Sequence, residues 1–404
     1  MSPLTILILL SVFYVLAGAC NAGFNKYIVS QTAIDRKFSH GWFLNLVMFI
    51  GESMGIPVYY ILFRKKKSGS EEDEKKEEEN EEEKKPEINK FLLAIPGFLD
   101  TCSTGLANIG LILLPASIYQ MLKGSLIVMT FLMSKFIVKN KHTLDHYIAI
   151  PVATLGVILV GLSAYISAED DEEDGKSSSA SQTLLGIVLM LIAMFILSIQ
   201  FCFDEHFMRK YSCHPLICIG YQGVFGFFIN LFLCTLFYFI KCGSYDIGKD
   251  PPYFVKNMCT GDDDNVWRPE NIFFAFRQLF ENRTLSIIVP ITIIFMSSFN
   301  IFGVSITKYG SATTRTVTDN CRSFLVWLWF LMPFNQEDLI EHFSFLQLFG
   351  FLCISMGAFI YNGIFKLEER RIRKNKKIHL ENVQEVDEEK LVDNSQRSTT
   401  NIEM

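Results

Sequence analysis

The chain has 404 residues, half of them hydrophobic, with 37 phenylalanines and a charged fraction of only 20%. A soluble chain carries about 25% charge, so an ordinary soluble domain is excluded. The net charge of −6 comes largely from segments between and beyond the apolar stretches and identifies no partner. Ten apolar stretches follow one another along the chain. They cover residues 4–22, 42–63, 91–114, 117–138, 146–166, 184–207, 215–240, 285–306, 313–332 and 343–365. Each is near the ~20 residues that a helix needs to cross a bilayer. The first also reads as a signal peptide, with small residues Ala17, Gly18 and Ala19 toward its end, but no Lys or Arg precedes it. The fold class expected is therefore all-α integral membrane, with about ten transmembrane helices.

The short loops carry Lys and Arg asymmetrically. Arg64 to Lys67, Lys139, Lys141, Arg209, Lys210, Lys308 and the cluster from Arg370 to Lys377 all fall on one side of a ten-span chain. That side is expected to be cytosolic, and it holds both termini. The Glu/Lys insert within 64–90 and the tail 367–404 are too polar to fold alone. The loop 241–284 lies on the opposite side. It contains an amphipathic stretch at 271–280, suited to a membrane interface. Its Cys242 and Cys259 are candidates for a bridge in an oxidising compartment, with two free thiols as the alternative.

The two halves resemble each other. Gln120-x-x-Lys123-Gly124 in the fourth stretch corresponds to Asp319-x-x-Arg322-Ser323 in the ninth, and ATLGVILVGLSAYI corresponds to QLFGFLCISMGAFI. Two repeats of five spans must have opposite orientations, which gives inverted repeats as in secondary transporters. The units expected are a first repeat at 1–166, an acidic linker at 167–183, a second repeat at 184–366 and the tail.

Chemistry is concentrated in ionisable residues within the spans. A central Asp, Lys or Arg costs about 2.5–3.5 kcal/mol on insertion scales, so each needs a partner or a wet cavity. Lys123 with Tyr119 and Gln120, and Arg322 with Thr316 and Asp319, line two helices too polar to face lipid. These six are the candidate substrate-binding residues, and two cations suit a carboxylate or phosphate. Asp319 leaves a zwitterion open as well. Glu52 and Asp100 are candidates for coupling-ion chemistry or for internal charge pairing. Asp204 and Glu205 are expected near water at a helix end, and Lys135 and Arg315 are expected to snorkel. Gly220, Gly223 and Gly226 read as a helix-packing stripe. No catalytic, metal, cofactor or nucleic-acid motif is present, so an enzyme is not expected.

Several segments together carry a family resemblance: FIGE at 49–52, YQMLKGSLIV at 119–128, HPL at 214–216, SITKYGSATTRTVTDNCR ending at Arg322, and GAFIYNGIF at 357–365. By these the chain resembles the F-type branch of solute carrier family 35 in the drug/metabolite transporter superfamily. More distantly it is similar to the chloroquine resistance transporters. The resemblance implies ten helices in two inverted repeats, alternating access and an internal membrane, lysosomal or vacuolar. It fixes no substrate. The function expected is secondary-active transport of a small polar organic solute, anionic or zwitterionic. The alternative is a non-transporting scaffold or receptor that binds cytosolic protein partners through its charged tails.

Overall fold

A computed structural model describes residues 3–34, 36–64, 86, 88–139, 143–173, 180–211, 213–244, 255, 259–261, 266–331 and 344–361. The Glu/Lys segment 71–85 and the tail 367–404 lie outside the described residues. The described chain is an all-α membrane protein, with two very small sheets on one face. In order, the elements are α1 (Pro3–Ser30), β1 (Thr32–Ala33), β2 (Arg36–Lys37), α2 (Gly41–Ser53) and α3 (Gly55–Arg64). Next come α4 (Ala94–Leu113), α5 (Ala116–Leu122), α6 (Leu126–Met133), α7 (Leu144–Glu173), α8 (Ala180–Lys210) and α9 (Pro215–Phe239). Strands β3 (Gly243–Ser244), β4 (Thr260–Gly261) and β5 (Val266–Arg268) precede α10 (Ile272–Glu281), α11 (Arg283–Tyr309), α12 (Ala312–Leu331) and α13 (Phe345–Tyr361).

Among the described residues, seven segments are long and apolar enough to cross a membrane: 5–29, 41–61, 118–138, 144–167, 181–210, 215–239 and 283–309. The other three expected spans coincide with α4, α12 and α13. Helix α4 is diluted by Asp100, Thr101, Ser103, Thr104 and Asn108, and α12 by Arg315, Asp319 and Arg322. Helix α13 has 17 residues. Their polarity and length place them among other helices rather than against lipid on all sides.

Local sequence explains the breaks. Pro57 has no N–H for the carbonyl of Ser53, and the helix is interrupted at Met54 between α2 and α3. Helix α1 runs eight residues past the apolar stretch that ends at Ala22, because Asn25 donates to Asn21 Oδ1 and Asn21 to Met296 Sδ. Asn21 is buried against α11 and Asn25 is half-buried beside it, so neither ends the helix. Likewise α7 and α8 extend into the acidic linker, as far as Glu173 and from Ala180.

The helices pack in recurring pairs. Helix α1 lies against α11 and α12, while α8 lies against α4 and α6. Helix α2 packs on α9 and α11, and α9 packs on α2 and α4. Helix α7 pairs with α13, and α5 and α6 both meet α12. The α2–α9 pairing rests on the glycine stripe. A Cβ on Gly223 would lie 2.5 Å from Ser53 N and 2.6 Å from Glu52 Cβ. Only hydrogen fits there, and the backbone at Glu52 is pinned as a result.

One face is capped by the hairpin β1–β2 and by the sheet β3-β5-β4. Cys242 and Cys259 are disulfide-bonded beside that sheet, with Cα atoms 6.6 Å apart. Helix α10 is the amphipathic stretch. It buries Phe274, Ala275 and Gln278 and leaves Phe273, Phe276 and Phe280 outward.

Gly223→Val should force α2 and α9 apart. We expect a loss of about 1–3 kcal/mol from overpacking, read as a lower melting temperature of the detergent-solubilised protein, while Gly161→Val, at a position with no neighbour within 4 Å, should change little.

Candidate functional site

Two groups of charges meet inside the helix bundle, and α12 carries part of both. Arg315, Asp319 and Arg322 recur at helical spacing along one stripe of this helix. All three are buried.

The first group is built around Asp319. Arg322 donates to it through both ends of its guanidinium fork, Nε to Oδ1 at 2.7 Å and Nη2 to Oδ2 at 3.1 Å. Tyr14 of α1 donates its hydroxyl to Oδ1 at 3.0 Å. The Arg322 guanidinium also lies over the ring of Phe299, 5.2 Å from its centroid, and Phe299 stacks on Tyr14. Asp319 is therefore fully engaged, and one guanidinium and one hydroxyl are spent on it. Lys123 is within electrostatic range of both Asp319 and Arg322. Its ammonium lies over the ring of Tyr119, 4.6 Å from the centroid, and among the described residues no carboxylate comes within 4 Å of it. The backbone at Lys123–Ser125 tightens into a 3₁₀ turn between α5 and α6. Such a mid-span turn commonly marks a hinge or a functional site. Four buried polar atoms on α5, the turn and α12 have no partner among the described residues: Gln120 Oε1, Ser125 Oγ, Asn320 Nδ2 and Ser323 Oγ.

The second group collects carboxyls from three other helices. Arg315 Nη1 is 3.5 Å from Asp204 Oδ2 of α8, and its guanidinium covers the Phe201 ring at 3.8 Å. Gln222 of α9 donates to Asp204 Oδ1 at 2.5 Å. Asn300 of α11 donates to Glu52 Oε1 at 2.7 Å, and Thr104 donates to Asp100 Oδ1 at 3.1 Å. The Glu52 and Asp100 carboxyls lie within electrostatic range of each other. The two groups touch at Gly303 of α11, where Arg315 Nε and the Tyr14 ring edge each lie 2.9 Å from a Cβ position that glycine leaves empty.

The structure thus places Tyr119, Lys123, Asp319 and Arg322 in one neighbourhood, with Gln120 buried beside them, and Glu52 with Asp100 in the adjoining one. Thr316 joins neither. Its hydroxyl donates to Ala312 O at 2.9 Å and lies 3.2 Å from Thr130 Oγ1 of α6, so it packs helices together. One expectation is corrected. Arg315 does not snorkel, because Asp204 and Phe201 hold it inside. Asp204 and Glu205 sit near the end of α8 and are internally paired: Glu205 meets the half-exposed Arg209, and its Oε2 accepts from Ala312 N at the start of α12. Sequence reasoning also missed Tyr14 and Phe299. Tyr14 was visible only as an isolated tyrosine among the aliphatic residues of the first span.

A family model described as CRT-like, chloroquine-resistance transporter-like, matches residues 7–361. The chain belongs to the CRT-like family. Among CRT-like relatives, human solute carrier family 35 member F6 is 27% identical over 351 residues, covering 87% of this chain and 85% of the relative. The rat protein of the same name is 27% identical over 332 residues, covering 82% and 80%. An uncharacterised protein of Schizosaccharomyces pombe is 30% identical over 282 residues, covering 70% and 76%. This CRT-like chain is a multi-pass membrane protein of a transporter family, similar to the F-type branch of solute carrier family 35. The relatives with a printed role are solute carriers, which are not enzymes.

Within this CRT-like site, Tyr14→Phe removes one buried hydrogen bond to a carboxylate and keeps the ring on Phe299. It should destabilise the protein by about 1–2 kcal/mol, read as a lowered melting temperature, whereas Tyr14→Ala should cost more by also exposing Phe299 and Arg322.

Proposed function

We propose that the chain is a secondary-active transporter that moves a small polar organic solute, anionic or zwitterionic, by alternating access. Its ten helical spans form two inverted five-helix repeats, 1–166 and 184–366, joined by the linker 167–183. The pairing of helices supports this reading. Numbering the spans one to ten, α1 on α11 is one on eight, and α8 on α4 is six on three. The contact of α6 with α8 is four on six, and that of α12 with α1 is nine on one. Two on seven, four on nine and five on ten map onto themselves. Exchanging each span with the one five places along maps these pairings onto one another, as a pseudo-two-fold axis between repeats would.

The observation that carries the substrate reading is Lys123. A cation inside a bundle normally finds a carboxylate. Here Asp319 is committed to Arg322 and Tyr14, so two cations share one carboxylate. The neighbourhood has an excess of positive charge and unpartnered donors and acceptors beside it. A carboxylate or phosphate group fits that excess, and a donor on the same solute fits Gln120 Oε1. Glu52 and Asp100 form the coupling site in this reading, holding a proton whose release accompanies the change of access. The bridged loop 241–284 faces the lumen, where disulfides persist, both termini face the cytosol, and the location is an internal membrane.

Because Lys123 has no ion-pair partner among the described residues, Lys123→Met should leave the unliganded protein as stable as before or more so. A solute that binds the folded state raises its apparent melting temperature. The panel comprises nucleotides, nucleotide sugars, amino acids, short peptides and cationic drugs. We expect an anionic or zwitterionic class to stabilise the wild type and to lose that effect in Lys123→Met. Stabilisation by cationic drugs alone, or an unchanged response in the variant, overturns the substrate reading. In proteoliposomes, Glu52→Gln combined with Asp100→Asn should abolish dependence of solute flux on a pH gradient, and flux that keeps its full dependence counts against the coupling assignment.

A further inference from the structure

A third buried polar group lies far from both charge groups, where the capped face closes over α2. His40, just before α2, is fully buried, as are Glu270 and Gln278. His40 Nδ1 is 2.5 Å from Glu270 Oε1, and Nε2 is 3.1 Å from Gln278 Oε1. The rings of Phe38 and Phe274 pack on the imidazole and shut out water.

Hydrogen-bond accounting fixes where the protons are. Gln278 Nε2 donates to the carbonyls of Ala33 at 2.7 Å and Arg36 at 3.3 Å. Its Oε1 must then be the acceptor toward His40, and His40 Nε2 carries a hydrogen. The contact from Nδ1 to Glu270 Oε1 needs a second proton. Glu270 also receives three backbone donors: Trp42 N and Phe43 N at Oε2, 3.0 and 3.2 Å away, and Asn271 N at Oε1, 3.0 Å away. Two of these are the orphan amides at the start of α2, which favour a negative charge. The charge therefore belongs on Glu270 and the second proton on the imidazole. Among the described side chains, the other charged groups on the surrounding elements face elsewhere. Arg36 lies over Trp267 and Arg268 over Tyr238, while Arg277 and Glu281 are exposed on α10.

We propose that His40 and Glu270 form a proton-held latch, which docks Glu270 and α10 over the start of α2 while the proton is in place and releases them when it is lost. Without that proton a bare imidazole nitrogen faces a carboxylate in a dry pocket, with nothing to bridge them. Release would free the Trp42 and Phe43 amides and, through Gln278, the hairpin β1–β2. Since docking needs a bound proton, rising pH opposes it and falling pH favours it. If this face is lumenal, as argued above, an acidic lumen keeps the cap closed and a neutral one loosens it. The latch itself does not depend on that orientation.

The test is amide hydrogen exchange on the full-length protein in detergent at about pH 5 and about pH 9, corrected for intrinsic exchange. Protection of residues 41–44 and 272–279 should fall at least about tenfold at the higher pH, while amides in α4 and α8 stay protected. Glu270→Gln is the decisive variant. A carboxamide can accept from the α2 amides and donate to Nδ1 of a neutral imidazole, so docking should persist and its pH dependence should vanish. His40→Ala should leave the segment unprotected at both values. Wild-type protection that is equal at the two pH values overturns the proposal whatever the variants do. A Glu270→Gln protein that folds and keeps the wild-type dependence overturns it as well.

Discussion

A charge inside a bilayer must be met by another charge, a hydrogen-bonding group or a wet cavity, and α12 presents three charges on one stripe. At about 2.5–3.5 kcal/mol apiece on insertion scales, Arg315, Asp319 and Arg322 would keep this helix out of the membrane unless its neighbours answered them. The neighbours do so one by one. Helix α8 brings Asp204 and the Phe201 face to Arg315, and α1 brings the Tyr14 hydroxyl to Asp319. Helix α11 brings Phe299 under Arg322 and a glycine where the Arg315 and Tyr14 side chains must both fit. The placement of α1, α8 and α11 around α12 is thus tied to charge solvation as much as to apolar packing. This matters in lipid, where helix association gains little from the hydrophobic effect.

The balance of charge is uneven in a directed way. The group around Asp319 has two cations for one carboxylate, and the group around Arg315 has three carboxyls for one guanidinium. Their excesses are opposite in sign and they adjoin at Gly303. A purely structural network would settle closer to neutrality, because each residual charge costs stability and yields no packing. In the proposed transport reading, a proton held by Glu52 and Asp100 would lower the acidic excess, and an anion at Lys123, which lies over the Tyr119 ring, would answer the cationic one.

Much of the frame was legible in the sequence, because apolar length is set by bilayer thickness and survives any tertiary arrangement. The glycine stripe at 220, 223 and 226 and the amphipathic stretch at 271–280 were legible for the same reason, as local periodicities. What could not be read were pairings between helices distant in the chain. Arg315 looked like a snorkelling residue because nothing local says that α8 will set Asp204 beside it. Thr316 looked like a site residue because polarity alone cannot tell a lining hydroxyl from one bonded to Thr130. His40 and Glu270 are 230 residues apart, and each alone resembles an ordinary loop residue. The end of α1 was misplaced because Asn21 and Asn25, polar by composition, are satisfied within the protein.

The fourth span is where these constraints converge. It is wound as α-helix through Leu122, as 3₁₀ at Lys123–Ser125, as α-helix again through Met133 and as π-helix at Ser134–Val138. Each change of winding weakens the regular hydrogen-bond ladder, and together they divide one span into short rigid pieces. The first joint falls at the residue whose charge lacks a counter-ion. An anion arriving at Lys123 would therefore act on the least regular part of the span, while α12 on one side and α8 on the other remain anchored by their own buried ion pair. Differential binding moves an equilibrium only where two states of similar energy exist, and in the proposed transport reading the joint at Lys123–Ser125 is where the span would change between them. In the proposed transport reading, the cation at Lys123 and the irregular backbone beside it would be two parts of one device, with the charge sensing the solute and the joint letting the helix answer.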